Sequence, residues 1–118
     1  MNIEEKTESF HRQWRTVSNY FKDLIGKKAD INAILLLIGI QELGQGIRTF
    51  DKEEKQDLMH MAMCKILSYS GYYEFEKKDQ EDWLHWKQKK EVPFLELKEQ
   101  ERFIKTHIIT YFDNEIQS

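Results

Sequence analysis

Hydrophobic and polar positions along this chain fall into four helical patterns and one stretch of partial alternation. From about Ile3 to Ile25, Phe10, Trp14, Val17, Phe21 and Leu24 recur at steps of four and three. That spacing draws a single apolar stripe down one face of a helix. Gly26 supplies the stop, because glycine accepts the left-handed conformation that follows a last helical turn. The next pattern, DINAILLLIGIQELG from Asp30 to Gly44, has no polar face of any width. Ala33, Ile34, Leu35, Leu36, Leu37, Ile38 and Ile40 cover most of its circumference. A helix of that kind has to be enclosed by other elements. Its apolar run of about 13 residues falls short of the roughly 20 a membrane span needs. Asp30 predicts the N-cap, Gly44 the stop, and Gly39 a notch where another helix approaches closely.

A loop, GQGIRTF, leads to a third helix opened by Asp51, with Glu54 three residues on as in a capping box. Glu53, Glu54 and Asp57 place negative charge near the positive end of its dipole. The helix is read through LMHMAMCKILSYS to Gly71. Tyr72–Glu76 and Trp83–Lys87 are aromatic-rich and partly alternating, with the polar KKDQED between them. They predict a β-hairpin with a long loop. Pro93 breaks the chain. A fourth helix follows from about Leu95 to Glu115, with Leu97, Ile104, Ile108, Tyr111 and Phe112 on one side. The expected fold is mainly α: a single compact helical domain over residues 1–118, with four helices around a central apolar one and a β-hairpin between helices 3 and 4.

Composition sharpens this only in part. A chain of 118 residues suffices for one continuous core. Its 18 Lys and Arg against 21 Asp and Glu give a formal charge of -3. A dedicated nucleic-acid binder carries a basic excess instead, so a nucleic-acid partner is not favoured. The one cysteine, Cys64, closes no intrachain disulfide and points to a reducing compartment. The acidic start MNIEEKTESF does not read as a signal peptide. A soluble cytoplasmic protein with no membrane association is expected.

Candidate chemistry thins out under helical geometry. Glu8-x-x-His11, Asp57-x-x-His60, Glu42 and Glu101 imitate the ligands of a di-iron bundle. At about 100° per residue, Glu8 falls roughly 150° from the centre of its helix's apolar stripe and His11 roughly 90°. Asp57 and His60 lie nearly opposite the stripe of Leu58, Ala62, Ile66 and Tyr69. No metal site and no cofactor is therefore predicted. Met59, Met61, Met63 and Cys64 point in separate directions around one helix, which suits adaptable packing rather than a soft-metal site. No nearby sequence motif lowers the Cys64 pKa by an obvious mechanism. Gly44-Gln45-Gly46 matches no phosphate loop, and Asp51, Glu53 and Glu54 would repel an anion there. His107 sits at the flank of the fourth helix's stripe, as a part-buried histidine or as a base or ligand. No catalytic residue is assigned.

The hairpin offers the richest binding chemistry. Tyr72, Tyr73, Phe75, Trp83 and Trp86 place five aromatics in 15 residues, beside Lys77, Lys78, Lys87, Lys89 and Lys90. Alternation divides such side chains between two faces, one covering the helices and one open to a partner. The candidate binding residues are Tyr73, Phe75, Trp83, Trp86 and Lys87, with His107.

The segments LIGIQELGQG, KEEKQDLMH, GYYEFEKKDQEDWLHW and FIKTHIITYF together resemble a family of short, uncharacterised bacterial helical proteins. The resemblance covers roughly Ile31 to Phe112. It implies a bacterial cytoplasmic setting and carries no activity, cofactor or catalytic residue.

Together these features predict a non-catalytic protein-interaction or regulatory module that engages a protein partner or forms a homodimer. Two alternatives stand beside it. One is a small-molecule- or metal-binding helical protein, possible as an enzyme if His107 shares a pocket with Glu42 or Glu101. The other is a nucleic-acid accessory protein using the 72–90 hairpin.

Overall fold

A computed structural model describes residues 2–117. The elements are α1 (Ile3–Ile25), α2 (Ile31–Leu43), α3 (Lys52–Ser68), β1 (Tyr73–Lys78), β2 (Leu84–Gln88) and α4 (Leu97–Tyr111). A single π turn, Phe112–Ile116, continues α4. The fold is thus mainly helical, with a two-stranded antiparallel hairpin between the third and fourth helices. The chain divides into two compact units, Met1–Ala29 with Phe94–Ser118, and Asp30–Pro93.

In the Asp30–Pro93 unit, α2 begins where Asp30 Oδ1 accepts the Ala33 N–H at 2.8 Å. It ends at Gly44, whose φ of +75° is left-handed. Ile34, Leu35, Ile38, Gly39 and Leu43 are buried along it. Its main partner within the unit is α3. Gly39 makes that approach possible, since a Cβ there would come within 2.7 Å of the Leu58 carbonyl carbon. The capping box at the start of α3 is complete: Asp51 Oδ1 accepts from Glu54 N at 2.8 Å, and Glu54 Oε1 accepts from Asp51 N at 3.1 Å. Leu43, Phe50, Leu58 and Met61 form a buried cluster, with Leu36, Ile40, Trp83 and Leu84 packed against it. Helix α3 stops at Ser68, short of the expected Gly71. The Tyr72 N–H and the Ser70 N–H both bond to the Leu67 carbonyl, and Gly71 at φ +80° turns the chain into β1.

The strands differ from the expected spans by one or two residues. Tyr73 pairs with Gln88, Glu74 with Lys87, Phe75 with Trp86, Lys77 with His85 and Lys78 with Leu84. The register shifts between Phe75 and Lys77, so Glu76 is the extra residue of a bulge. Strand β1 runs on past the bulge to Lys78, and β2 begins at Leu84, so Trp83 lies in the connecting loop.

In the other unit α1 packs on α4. The Arg102 guanidinium lies 4.2 Å over Phe10, and the Lys105 ammonium 5.0 Å over Trp14. Tyr20 meets Phe112 edge-on at 5.3 Å. These contacts advance together along both sequences, so the two helices run parallel. They also explain two exceptions to the expected stripes. Leu97 is 79% exposed and Leu24 60% exposed. Leu97 precedes the first of these contacts, and Leu24 follows the last. Val17, Phe21, Ile108, Ile109, Tyr111 and Phe112 are buried.

Candidate functional site

Within the Asp30–Pro93 unit, the outer flank of α3 and the hairpin enclose a cleft of about 450 Å³. Its lining combines four carboxylates, Glu54, Asp57, Asp79 and Glu81, with His60 and His85 and with Met61, Trp83 and Leu84. Helix α3 contributes Glu54, Asp57, His60 and Met61. The hairpin loop and the start of β2 contribute the rest.

Asp79 organises the loop. Its Oδ1 accepts from the backbone N–H of Glu81 at 2.8 Å and of Trp83 at 3.0 Å. Its Oδ2 accepts from His85 Nε2 at 2.9 Å. The Asp79 N–H in turn donates to the Trp83 carbonyl at 2.9 Å. Short polar side chains that bond backbone two to four residues ahead are a recurrent means of fixing turns. Asp82 turns the chain with φ +68°. Aspartate is among the few non-glycine residues that tolerate this conformation. The His85 hydrogen bond, with those from Glu81 and Trp83 and the proximity of the imidazole, holds the Asp79 carboxyl below its usual value of 3.8. From the other side, Gln45 Nε2 donates to the Glu81 carbonyl at 2.8 Å. The loop is therefore tied to its own strand and to the α2–α3 connection.

The carboxylates differ in their partners. Glu54 meets Arg48 Nη2 at 3.2 Å, and that guanidinium lies 4.2 Å over Phe50. Asp79 is occupied by His85. Among the described residues, Asp57 on one wall and Glu81 on the other make no ion pair.

Of the six candidate binding residues, Trp83 lines this cleft. Tyr73 is half-buried beside it, edge-on to His60 at 6.4 Å. Phe75 and Trp86 pair across the strands at 5.6 Å, and Phe75 remains 48% exposed. Trp86 Nε1 is buried without a hydrogen-bond partner among the described residues. Lys87 is exposed opposite Glu74 in the register. His107 belongs to the other unit, is 7% exposed, and donates through Nδ1 to the Phe103 carbonyl at 2.7 Å. The acids considered with it are engaged elsewhere: Glu42 lies 3.9 Å from Lys65, and Glu101 2.8 Å from Lys105. The hairpin lysines form no uniform basic surface. Lys89 reaches Glu74 at 3.6 Å, and Lys90 lies 4.5 Å over the Tyr72 ring.

Helical geometry alone does not find the cleft. Asp57 and His60 are exposed, as their angle from the stripe requires, but the hairpin folds alongside them. The sequence signals were the loop acids Asp79 and Glu81 and the x-x spacing of Asp57 and His60. Neither signal by itself marks a concave surface. Cys64 lies 3.5 Å from His60 Nε2, which resembles a thiol–imidazole pair. Burial pushes that thiol up to about 11, so it stays protonated and is a poor nucleophile. Among the described residues, no three His, Cys, Asp or Glu side chains converge to hold a metal ion, and no helix is long and apolar enough to cross a membrane.

Comparison of the chain with protein-family models, curated proteins and solved structures returned no match.

Proposed function

We propose that this chain is a non-catalytic interaction module, and that the cleft between α3 and the hairpin is where it engages a protein partner. The observation that carries this reading is the concave, mixed surface that apolar Met61, Trp83 and Leu84 share with Asp57 and Glu81. Apolar area with an aromatic anchor supplies affinity, and the surrounding charges supply orientation and selectivity. Catalysis is less well supported. The Asp79–His85 pair has the geometry of a base and its orienting acid, but its carboxylate is committed to the loop, and the thiol beside His60 is protonated. Phosphate-bearing partners are disfavoured by the four carboxylates. A cytoplasmic setting is consistent with an unpaired, buried thiol.

Homodimerisation is the second reading. Phe94 at 98% and Leu97 at 79% exposure are the observation that favours it.

The test is photo-crosslinking in extract of the source cells, with a benzophenone amino acid at position 81 and, as a control, at exposed position 98. A discrete adduct from position 81 that disappears with Trp83→Ala supports the reading. Equal adducts from both positions, or none, would refute it. Sedimentation of the purified chain over a range of concentrations decides the dimer.

A further inference from the structure

We infer that the occupant of the cleft is a cationic peptide segment, with a lysine or arginine side chain set among apolar residues. This inference rests on the interaction reading above and names the partner's chemistry.

Charge complementarity is the argument. The cleft's lining contains carboxylates from two separate elements and no lysine or arginine. Glu54 is already ion-paired with Arg48, and Asp79 is already hydrogen-bonded by His85 and the loop backbone. Asp57 from α3 and Glu81 from the loop are left, one on each wall. Both lie on the lining of the same cleft, so a cation seated there meets an acidic surface that no side chain among the described residues neutralises. The apolar part of the same lining suits the rest of such a side chain. Met61 is buried and polarizable, Leu84 is aliphatic, and Trp83 presents an aromatic ring. The methylene stem of lysine or arginine packs on apolar surface while its head group reaches a carboxylate. An indole face attracts the same head group. Arginine offers a carboxylate more than lysine does, because its planar fork carries several fixed donors. An acidic or phosphorylated segment would meet repulsion from both walls, and a purely apolar one would leave both carboxylates desolvated and unpaired.

The loop that carries Glu81 and Trp83 is held by Asp79 and Gln45 before any ligand arrives. The cleft is thus pre-organised, which spares binding the cost of ordering that wall.

The experiment is selection of a random heptapeptide phage library on the intact chain, with counter-selection on the double variant Asp57→Asn, Glu81→Gln. Both positions are exposed and Asp79 is untouched, so the loop keeps its frame. The expected result is enrichment of lysine and arginine over aspartate and glutamate in clones that the double variant no longer retains. Synthetic peptides from those clones should bind the double variant at least about tenfold more weakly, a loss of about 1.4 kcal/mol. Their affinity should also fall as salt rises from about 50 to about 300 mM. Enrichment of acidic or uncharged sequences that bind at the cleft overturns the inference and leaves the interaction reading standing. Enrichment that ignores the double variant, or none at all, overturns the inference, and the position-81 crosslink then decides the wider reading separately. Amide NMR spectra of the double variant that overlay those of the native chain outside the cleft exclude misfolding as the cause of a loss.

Discussion

The side-chain amide of Gln45 donates to the main-chain carbonyl of Glu81 at 2.8 Å, across 36 residues of sequence. It ties the α2–α3 connection to the tip of the hairpin. Gln45 comes from the Gly-Gln-Gly loop, which as sequence suggested only a connection. Its role is to support one wall of the cleft. Gln45→Ala should cost about 0.5–1.5 kcal/mol, the usual net value of one such bond. Amide exchange should quicken selectively over residues 79–83. Unchanged exchange there would show that Asp79 alone holds the loop.

Asp79 gives the loop its pH dependence. Its folded carboxyl lies below the usual 3.8, chiefly through the His85 hydrogen bond. A depressed carboxyl contributes stability that is fully present above its unfolded value and is lost as pH falls through the folded one. Asp79→Asn keeps an acceptor for the Glu81 and Trp83 N–H groups but removes the charge. The variant should therefore be less stable than the native chain near neutrality. The gap should close as pH falls below the ordinary aspartate value. Urea titrations at pH 7, 4 and 3 measure this. A gap independent of pH would mean that the charge contributes nothing.

Much of the scaffold was legible because its signals are local. Asp30, Gly44, Asp51 with Glu54, and Gly26 mark helix ends through backbone hydrogen bonds and φ, which depend on a few neighbours only. The hairpin was legible from its aromatic alternation. The bulge at Glu76 was not, because alternation cannot show which residue is unpaired, and Trp83 proved to lie one residue before β2. The cleft was harder still. Asp57 and His60 were placed correctly around α3, but a helical wheel does not say what folds beside the polar face. Asp79 and Glu81 lie in the stretch KKDQED, whose sequence shows only a polar loop. Nothing in the composition marks the division of the chain at Asp30 and Phe94 either.

Gly39 is a case where sequence and structure agree closely enough to quantify. The notch expected on α2 is filled by the backbone of α3 at Leu58. Backbone cannot rotate away as a flexible side chain can. Gly39→Ala must push the helices apart and open the cluster of Leu43, Phe50, Leu58 and Met61. The overpacking cost is about 1–3 kcal/mol, and it exceeds the gain of up to about 1 kcal/mol that alanine brings to a helix interior. Thermal or urea unfolding should show net destabilisation. A more stable variant would refute the close contact.

Cys64 tests the core of the same unit from the alkaline side. Its side chain is buried on α3, and desolvation raises the thiol from 9.0 to about 11 despite a smaller opposing backbone hydrogen bond. The folded state therefore resists ionisation where the unfolded state does not. For a group with a raised folded value, stability is fully present below the unfolded value and is lost as pH rises through the folded one. Native stability should thus decline between pH 9 and 11, and Cys64→Ala should remove that part of the decline at the cost of a small cavity. Alkylation by iodoacetamide at pH 8 should be slow in the folded chain and rapid in urea, because the thiolate is the reacting species. Rapid labelling of the folded chain, at the rate of a free thiol, would show instead that Cys64 is accessible and ionised beside His60, and would return the thiol–imidazole pair to consideration as a reactive site.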